Sequence, residues 1–291
     1  MNAPLLERFV AFVENREALR KTKQTDDDIL RNHHFCNVNR EDDRVTQWIH
    51  THVRTKYYNR GKNFMLLQIM ACRIFNDPPV LSVILPLSPE IKLMKYALTQ
   101  LKVFKAKEGN RIMRGAYMMP THGAGPMATG PVEDYWFASL YECAKLDITG
   151  CTTLAQVAEA LMTLHGVGEF VANQIVTDMR YVPIFGSHFT DWDTFILCGP
   201  GTRRGLNRFF GRPLNDKLKS EEYVQELLDV RFDLIDRGCF NGFIEDYFDD
   251  PNNLSNCFCE FDKYCRAVDQ RNNGLEITLR HYHKHEAPSS F

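Results

Sequence analysis

Apolar positions recur at helical spacing along most of this chain, and alternating strand-like runs are nearly absent. Leu5, Phe9 and Phe12 begin an amphipathic segment that should stop before Asp26–Asp28. Val45, Trp48, Ile49 and His52 line one side of a second helix, and Phe64 to Phe75 forms a third, closed by Pro78-Pro79. Ile91, Met94, Leu98, Leu101 and Phe104 recur three and four apart, which predicts one buried face between Pro89 and Gly109. Residues 115–131 carry seven glycines and prolines and read as a loop, a substrate-facing candidate and the place to expect a boundary between lobes, near 110–132. Trp136, Leu140 and Ala144 resume a helix, Thr152 or Thr153 caps the next, and Tyr223, Leu227, Val230 and Leu234 mark another. The fold class is therefore all-α, with residues 1–275 as one two-lobed unit and 276–291 as a flexible tail.

Composition agrees with a packed globule, at 44% hydrophobic and 12% aromatic residues. No apolar run reaches the roughly 18 residues of a membrane span, and the N-terminus lacks a secretory signal, so a protein that stays inside the cell is expected. Nine cysteines without a signal sequence argue for reduced thiols; the spacing of Cys239, Cys257, Cys259 and Cys265 is not a standard cluster pattern. His33-His34 and the histidines of the tail read as incidental, and Trp48 and Trp136 as core. No metal and no nucleotide-cofactor motif is evident. The net charge of −2 gives no global basic signature. Local stripes exist at Arg40, Arg44, Arg54, Lys56, Arg60 and Lys62, and at Arg203, Arg204, Arg208 and Arg212.

The most informative segment runs from Leu161 through Leu164, Gly166, Val167, Gly168, Glu169 and Ala172 to Ile175. Two glycines around one apolar residue allow a sharp turn whose centre plugs the junction of two helices. Ala172 is small where such helices cross. Gly168 leaves the first amides of the second helix open to a phosphate, drawn by direct donation and by the helix dipole. Gly166, Val167, Gly168 and Glu169 are thus the candidate contact with a DNA backbone, and a monovalent cation would suit the same turn. A bland helical hairpin is the competing account.

Beyond it lies His188-Phe189-Thr190-Asp191-Trp192-Asp193-Thr194, and here the chain resembles the helix-hairpin-helix DNA glycosylases. That resemblance implies a catalytic aspartate at a helix start, matched best by Asp193, with Asp191 beside it; structural capping is the alternative for either. The lysine of the bifunctional members is absent.

Two further stretches are more distinctive: Phe35-Cys36-Asn37-Val38-Asn39-Arg40-Glu41-Asp42-Asp43-Arg44-Val45-Thr46, and Gly199-Pro200-Gly201-Thr202-Arg203-Arg204-Gly205-Leu206-Asn207. With Cys259-Glu260-Phe261-Asp262-Lys263-Tyr264 they resemble the phage thymine-hypermodification family, the alpha-glutamyl/putrescinyl thymine pyrophosphorylases or amino acid:DNA transferases. The resemblance spans roughly residues 30–270. It implies replacement of the phosphate of phosphorylated 5-hydroxymethyluracil in double-stranded phage DNA by an amine donor, glycine favoured. Such a protein would work in the cytoplasm of an infected bacterium and shield phage DNA from restriction.

On that reading Asp193, Asp191 or Glu41 takes the amine's proton, and Arg203 and Arg204 face the leaving phosphate. Asn37, Arg40, Arg44 and Asn207 complete the substrate pocket. A monofunctional glycosylase excising a modified pyrimidine is the alternative, and a non-catalytic DNA-binding protein a third. Oligomeric state is not legible.

Overall fold

The computed structural model describes residues 3–107, 112, 131–186, 189–240 and 242–279. It is mainly helical, with no strand element among the described residues. In chain order the first helices are α1 (Ala3–Thr22), α2 (Asp28–Asn32), α3 (Arg44–Ile49), α4 (Thr55–Tyr57), α5 (Lys62–Phe75) and α6 (Pro78–Ile84). They are followed by α7 (Ile91–Ala106), α8 (Val132–Cys143), α9 (Leu154–Met162), α10 (Glu169–Met179) and α11 (Pro183–Gly186). The last are α12 (Pro200–Phe209), α13 (Ser220–Asp236), α14 (Gly242–Tyr247) and α15 (Pro251–Asn272).

The chain divides into two compact units, one of residues 1–43 and 196–291, the other of residues 44–195. The changeovers fall at Asp43/Arg44 and Phe195/Ile196. The boundary expected near 110–132, the loop at 115–131 and the end of the tail all lie largely outside the described residues.

In the first unit the i, i+3, i+4 set Phe9, Phe12 and Val13 of α1 is fully or almost fully buried. The Phe9 ring stacks on Phe258 of α15 at 4.5 Å and meets Phe209 and Phe261 edge-on at 5.7 and 5.2 Å. Such offset and edge-to-face pairs are the favoured arrangements of ring quadrupoles. Tyr223, Leu227, Val230 and Leu234 of α13 join the same core. Helix α15 starts at Pro251 behind the Asp250 cap, whose carboxylate accepts the Asn252 N–H at 2.9 Å. Past α15, Thr278 is hydrogen-bonded back to Gln270 of the helix, and Ile277 and Leu279 pack against the core.

In the second unit α5 is buried on every side over its last three turns, each residue from Met65 to Phe75 being buried. Within that helix Arg73 donates Nε and Nη2 to the two oxygens of Asp178 on α10, at 2.5 and 2.6 Å. Nη2 also reaches Thr46 Oγ1 and Nη1 reaches Asn76, so this buried charge pair is fully engaged.

Several local expectations change. Pro78-Pro79 open α6 instead of merely closing α5, because proline fits the first helical turn. On α7 the buried residues are Met94, Ala97 and Leu101, whereas Ile91 is exposed. Trp136 is core, but Trp48 is partly exposed and stacks on the exposed His52 at 4.4 Å, where the helix loosens into a π turn at His50–Arg54.

Candidate nucleic-acid interface

The hairpin is built from α9, the turn at Gly166–Gly168 and α10. Thr153 caps α9 in a capping box with Gln156. Gly166 has φ +72°, and a β-carbon there would lie 2.3 Å from Tyr135 Oη, so both backbone and space demand glycine. Val167 is buried, Ala172 is fully buried, and Gly168 caps α10 with open space around it. Helix α8 braces the turn from behind: Ser139 Oγ donates to the His165 carbonyl, Glu142 accepts the His165 N–H at 2.7 Å, and the Tyr135 and His165 rings lie 4.7 Å apart. Glu169 and Phe170 stand exposed at the start of α10.

The second unit begins with a stretch of sequence free of acid. Between Arg44 and Asn76 there is no Asp or Glu, while Arg44, Arg54, Lys56, Arg60, Lys62 and Arg73 are all basic. Arg44, Lys56 and Arg60 are exposed. Arg54 is not part of that surface: it is buried, donates to the Thr46 carbonyl and lies over Tyr181.

The two aspartates of the same unit have different positions. Asp191 accepts the N–H groups of Leu154 and Ala155, at 2.7 and 3.0 Å, one on each oxygen. It thus ties its turn to the start of α9. Asp193 is exposed, but it sits in a turn at 190–194 and not at a helix start, since the next helix begins at Pro200. The helix-start position expected for it is therefore corrected.

The remaining predicted residues belong to the first unit, apart from Arg44. The segment His34 to Arg40 is laced onto α15 by side chains spaced three and four apart on one helix face. Lys263 donates to the His34 carbonyl at 2.6 Å and Glu260 accepts the Cys36 N–H at 3.0 Å. Asn256 donates to the Asn37 carbonyl at 3.1 Å and Asn253 accepts the Arg40 N–H at 2.9 Å. Glu41 lies in a short 3-10 turn whose N-cap, Asn39, accepts its N–H.

The glycine–arginine motif is the first two turns of α12, with Pro200 at its start. A β-carbon on Gly205 would lie 2.1 Å from the Phe258 carbonyl oxygen, and one on Gly201 2.3 Å from Cys259 Sγ. The glycines therefore let α12 and α15 touch backbone to backbone, and Thr202 bonds Ser255 across the contact. Arg203 turns into the scaffold, donating Nε to the Cys198 carbonyl at 2.7 Å and Nη2 to Ser220, above the Tyr223 ring. Asn207 is buried and saturated: it donates to the carbonyl of Asp216 and accepts from Arg212 and Tyr223. Both were expected to touch substrate, and both are instead bonded within the scaffold. Arg204 remains half exposed.

Among the described residues no group of three or more His, Cys, Asp or Glu is placed to hold a metal ion, and no helix is long and apolar enough to cross a membrane. Cys257 and Cys265 lie in the first unit's core, where burial pushes Cys265 up to about 11.

As a class this is a mainly helical chain in which a glycine turn between two helices is braced from a third and leaves open space at the start of the second. Its family is specific: the family described as 5-hmdU DNA kinase, helical domain, matches residues 4–274, and the chain belongs to it. The 5-hmdU DNA kinase of Bacillus phage SP10 is 24% identical over 204 residues, which cover 64% of this chain and 32% of that relative. The chain thus spans about a third of the length of the curated relative it matches. No solved structure matches it.

The kinship with phage thymine hypermodification holds in this coarser form. Amino acid transfer, its glycine donor and the glycosylase alternative do not: family and relative are named for a kinase, which installs a phosphoryl group instead of displacing one. Of the stretches that carried the transferase resemblance, residues 36–40, α12 and α15 pack against one another within the first unit.

Proposed function

We propose that this chain is the DNA-handling helical part of a 5-hmdU DNA kinase, holding the duplex while the hydroxymethyl group of the modified base is phosphorylated. The observation that carries the reading is the Gly166–Val167–Gly168 turn, braced by α8 and opening onto the uncrowded start of α10. Amides at a helix start attract phosphate through the dipole and by direct donation. The exposed bases Arg44, Lys56 and Arg60 supply the long-range attraction a backbone binder needs.

Chemistry on a base substituent favours an extruded nucleotide, since a stacked one is hard to surround. Phosphoryl transfer also needs a nucleotide donor and charge clamped around its phosphates. The one Gly-Lys pair of the sequence, Gly61-Lys62, is followed by Asn63 and does not fit the Gly-Lys-Ser/Thr phosphate loop. The reading therefore assigns DNA recognition to this chain and leaves the nucleotide site unassigned.

Fluorescence anisotropy with duplexes containing 5-hmdU or thymidine tests it, alongside transfer of labelled phosphate from ATP to the same duplexes. Salt-dependent binding with preference for 5-hmdU is expected. A chain that ignores both duplexes at low salt would overturn the reading.

A further inference from the structure

Three arginines of the first unit converge on one buried carboxylate. Asp262 of α15, its side chain only 3% exposed, accepts Nε of Arg204 at 3.2 Å and Nε of Arg266 at 3.3 Å on Oδ2. Its Oδ1 accepts Nε and Nη2 of Arg208, both at 3.3 Å, and Arg208 Nη1 reaches Asp269. Arg204 and Arg208 are one turn apart on α12, and Asp262 and Arg266 one turn apart on α15. The close approach permitted by Gly201 and Gly205 brings the two helices near enough for a short aspartate to serve both.

The bonding is lopsided. Arg204 and Arg266 each spend only Nε on the aspartate, and their Nη atoms have no hydrogen-bond partner among the described residues. Those side chains are 45% and 46% exposed, so the outer edges of both guanidiniums face water. Three guanidiniums share two carboxylates, which leaves an excess of positive charge. A self-contained salt-bridge network would consume the forks; this one orients them and leaves them open. A guanidinium pinned at Nε loses little further freedom when its Nη edge takes a phosphate.

We propose that Arg204 and Arg266, aligned by Asp262, form a phosphate clamp for the DNA backbone. The proposal rests on the DNA-handling reading above and gives the first unit its own share of that task. Half-exposed forks on helix surfaces suit a strand laid along them, whereas a free nucleotide needs walls around its base. Phosphates of a nucleotide share the chemistry, and the test separates the two sources.

Binding of a fluorescent duplex is measured over a range of salt, with labelled ATP in parallel. R204Q/R266Q should weaken duplex binding at least tenfold and lower the slope of log K against log salt by about 1.8, for two lost phosphate contacts. R204K/R266K should keep the slope yet lose several-fold in affinity, because lysine has neither the fork nor the Nε anchor. D262N makes the chain one charge more positive; simple attraction would tighten binding, whereas an unpinned clamp loosens it. Thermal melts establish folding, and if D262N does not fold the lysine pair decides. Duplex binding by R204Q/R266Q with unchanged affinity and slope overturns the clamp and spares the DNA-handling reading. Loss of ATP binding alone overturns the backbone assignment, and a wild-type chain that binds no duplex removes both.

Discussion

The carboxylate of Asp191 accepts the backbone N–H of Leu154 at 2.7 Å, joining a turn after the hairpin to the first residue of the hairpin's leading helix. Its other oxygen takes the Ala155 N–H, so two amides that no helical carbonyl can reach are satisfied by one charged side chain. Asp191→Ala should lower the unfolding free energy by about 2 kcal/mol, the upper part of the range for a lost cap. Urea denaturation reads this directly. A variant of unaltered stability would contradict the capping role.

Gly205 and Gly201 face obstacles of different stiffness. Alanine at Gly205 drives a methyl group into the Phe258 carbonyl, and a helix backbone must move to admit it, so a cost of about 3 kcal/mol or more is expected. Alanine at Gly201 meets the Cys259 thiol, a side chain that can turn away, and should cost less. Adding Cys259→Ala should recover part of the Gly201→Ala loss but none of the Gly205→Ala loss. Melting the four variants side by side checks the order.

At the hairpin, Gly166→Ala combines a positive φ with a collision against Tyr135 and should cost about 2–3 kcal/mol, whereas Gly168→Ala, with open space, should cost under about 1 kcal/mol. Glu169 sets a negative charge at the start of α10. Glu169→Gln should therefore raise duplex affinity about threefold while weakening the helix slightly. Weaker binding by that variant would show that the α10 start is not the phosphate contact.

Arg73 and Asp178 are both buried, so removing one partner strands the other. Asp178→Asn and Arg73→Met should each cost about 3–5 kcal/mol, and the double variant less than the sum. Additive losses would mean the two groups are not coupled.

Acid sensitivity should trace in part to Glu17. Burial works to raise its pKa, but hydrogen bonds and charge from Arg20 and Lys21 outweigh it, and the net shift is downward from 4.5. A carboxyl lowered on folding stabilises the native state above its unfolded pKa, and that contribution fades as pH falls below about 4.5 through the folded value. Asp42, which burial and the charge of Glu17 push up, acts in the opposite sense. The stability gap between wild type and Glu17→Gln should shrink between pH 5 and 3; a constant gap would rule the linkage out.

Legibility followed physical type. The helices containing Phe9, Leu101 and Leu227 are readable because some of their apolar residues recur three and four apart on a face that must be buried wherever the helix packs. Helix α15 is amphipathic too, but Asn252, Asn253, Asn256 and Glu260 occupy inward or seam positions that hydrophobic spacing does not mark. Asn253, Asn256 and Glu260 are placed by the backbone groups of residues 36–40, which are over 200 positions away. Arg203 and Arg204 look alike in sequence, yet one is bonded into the scaffold and the other faces solvent.

The residues alone determine an all-helical chain and a sharp Gly-Val-Gly turn, since period, small side chains and permitted φ are local properties. Which polar and charged side chains are spent on holding the protein together, at Asp191, Arg203, Asn207 and Asp262, was decided only when distant segments met. A hydrogen bond depends on atoms within about 3 Å, and neighbours at that range are set by the tertiary fold and not by position along the chain.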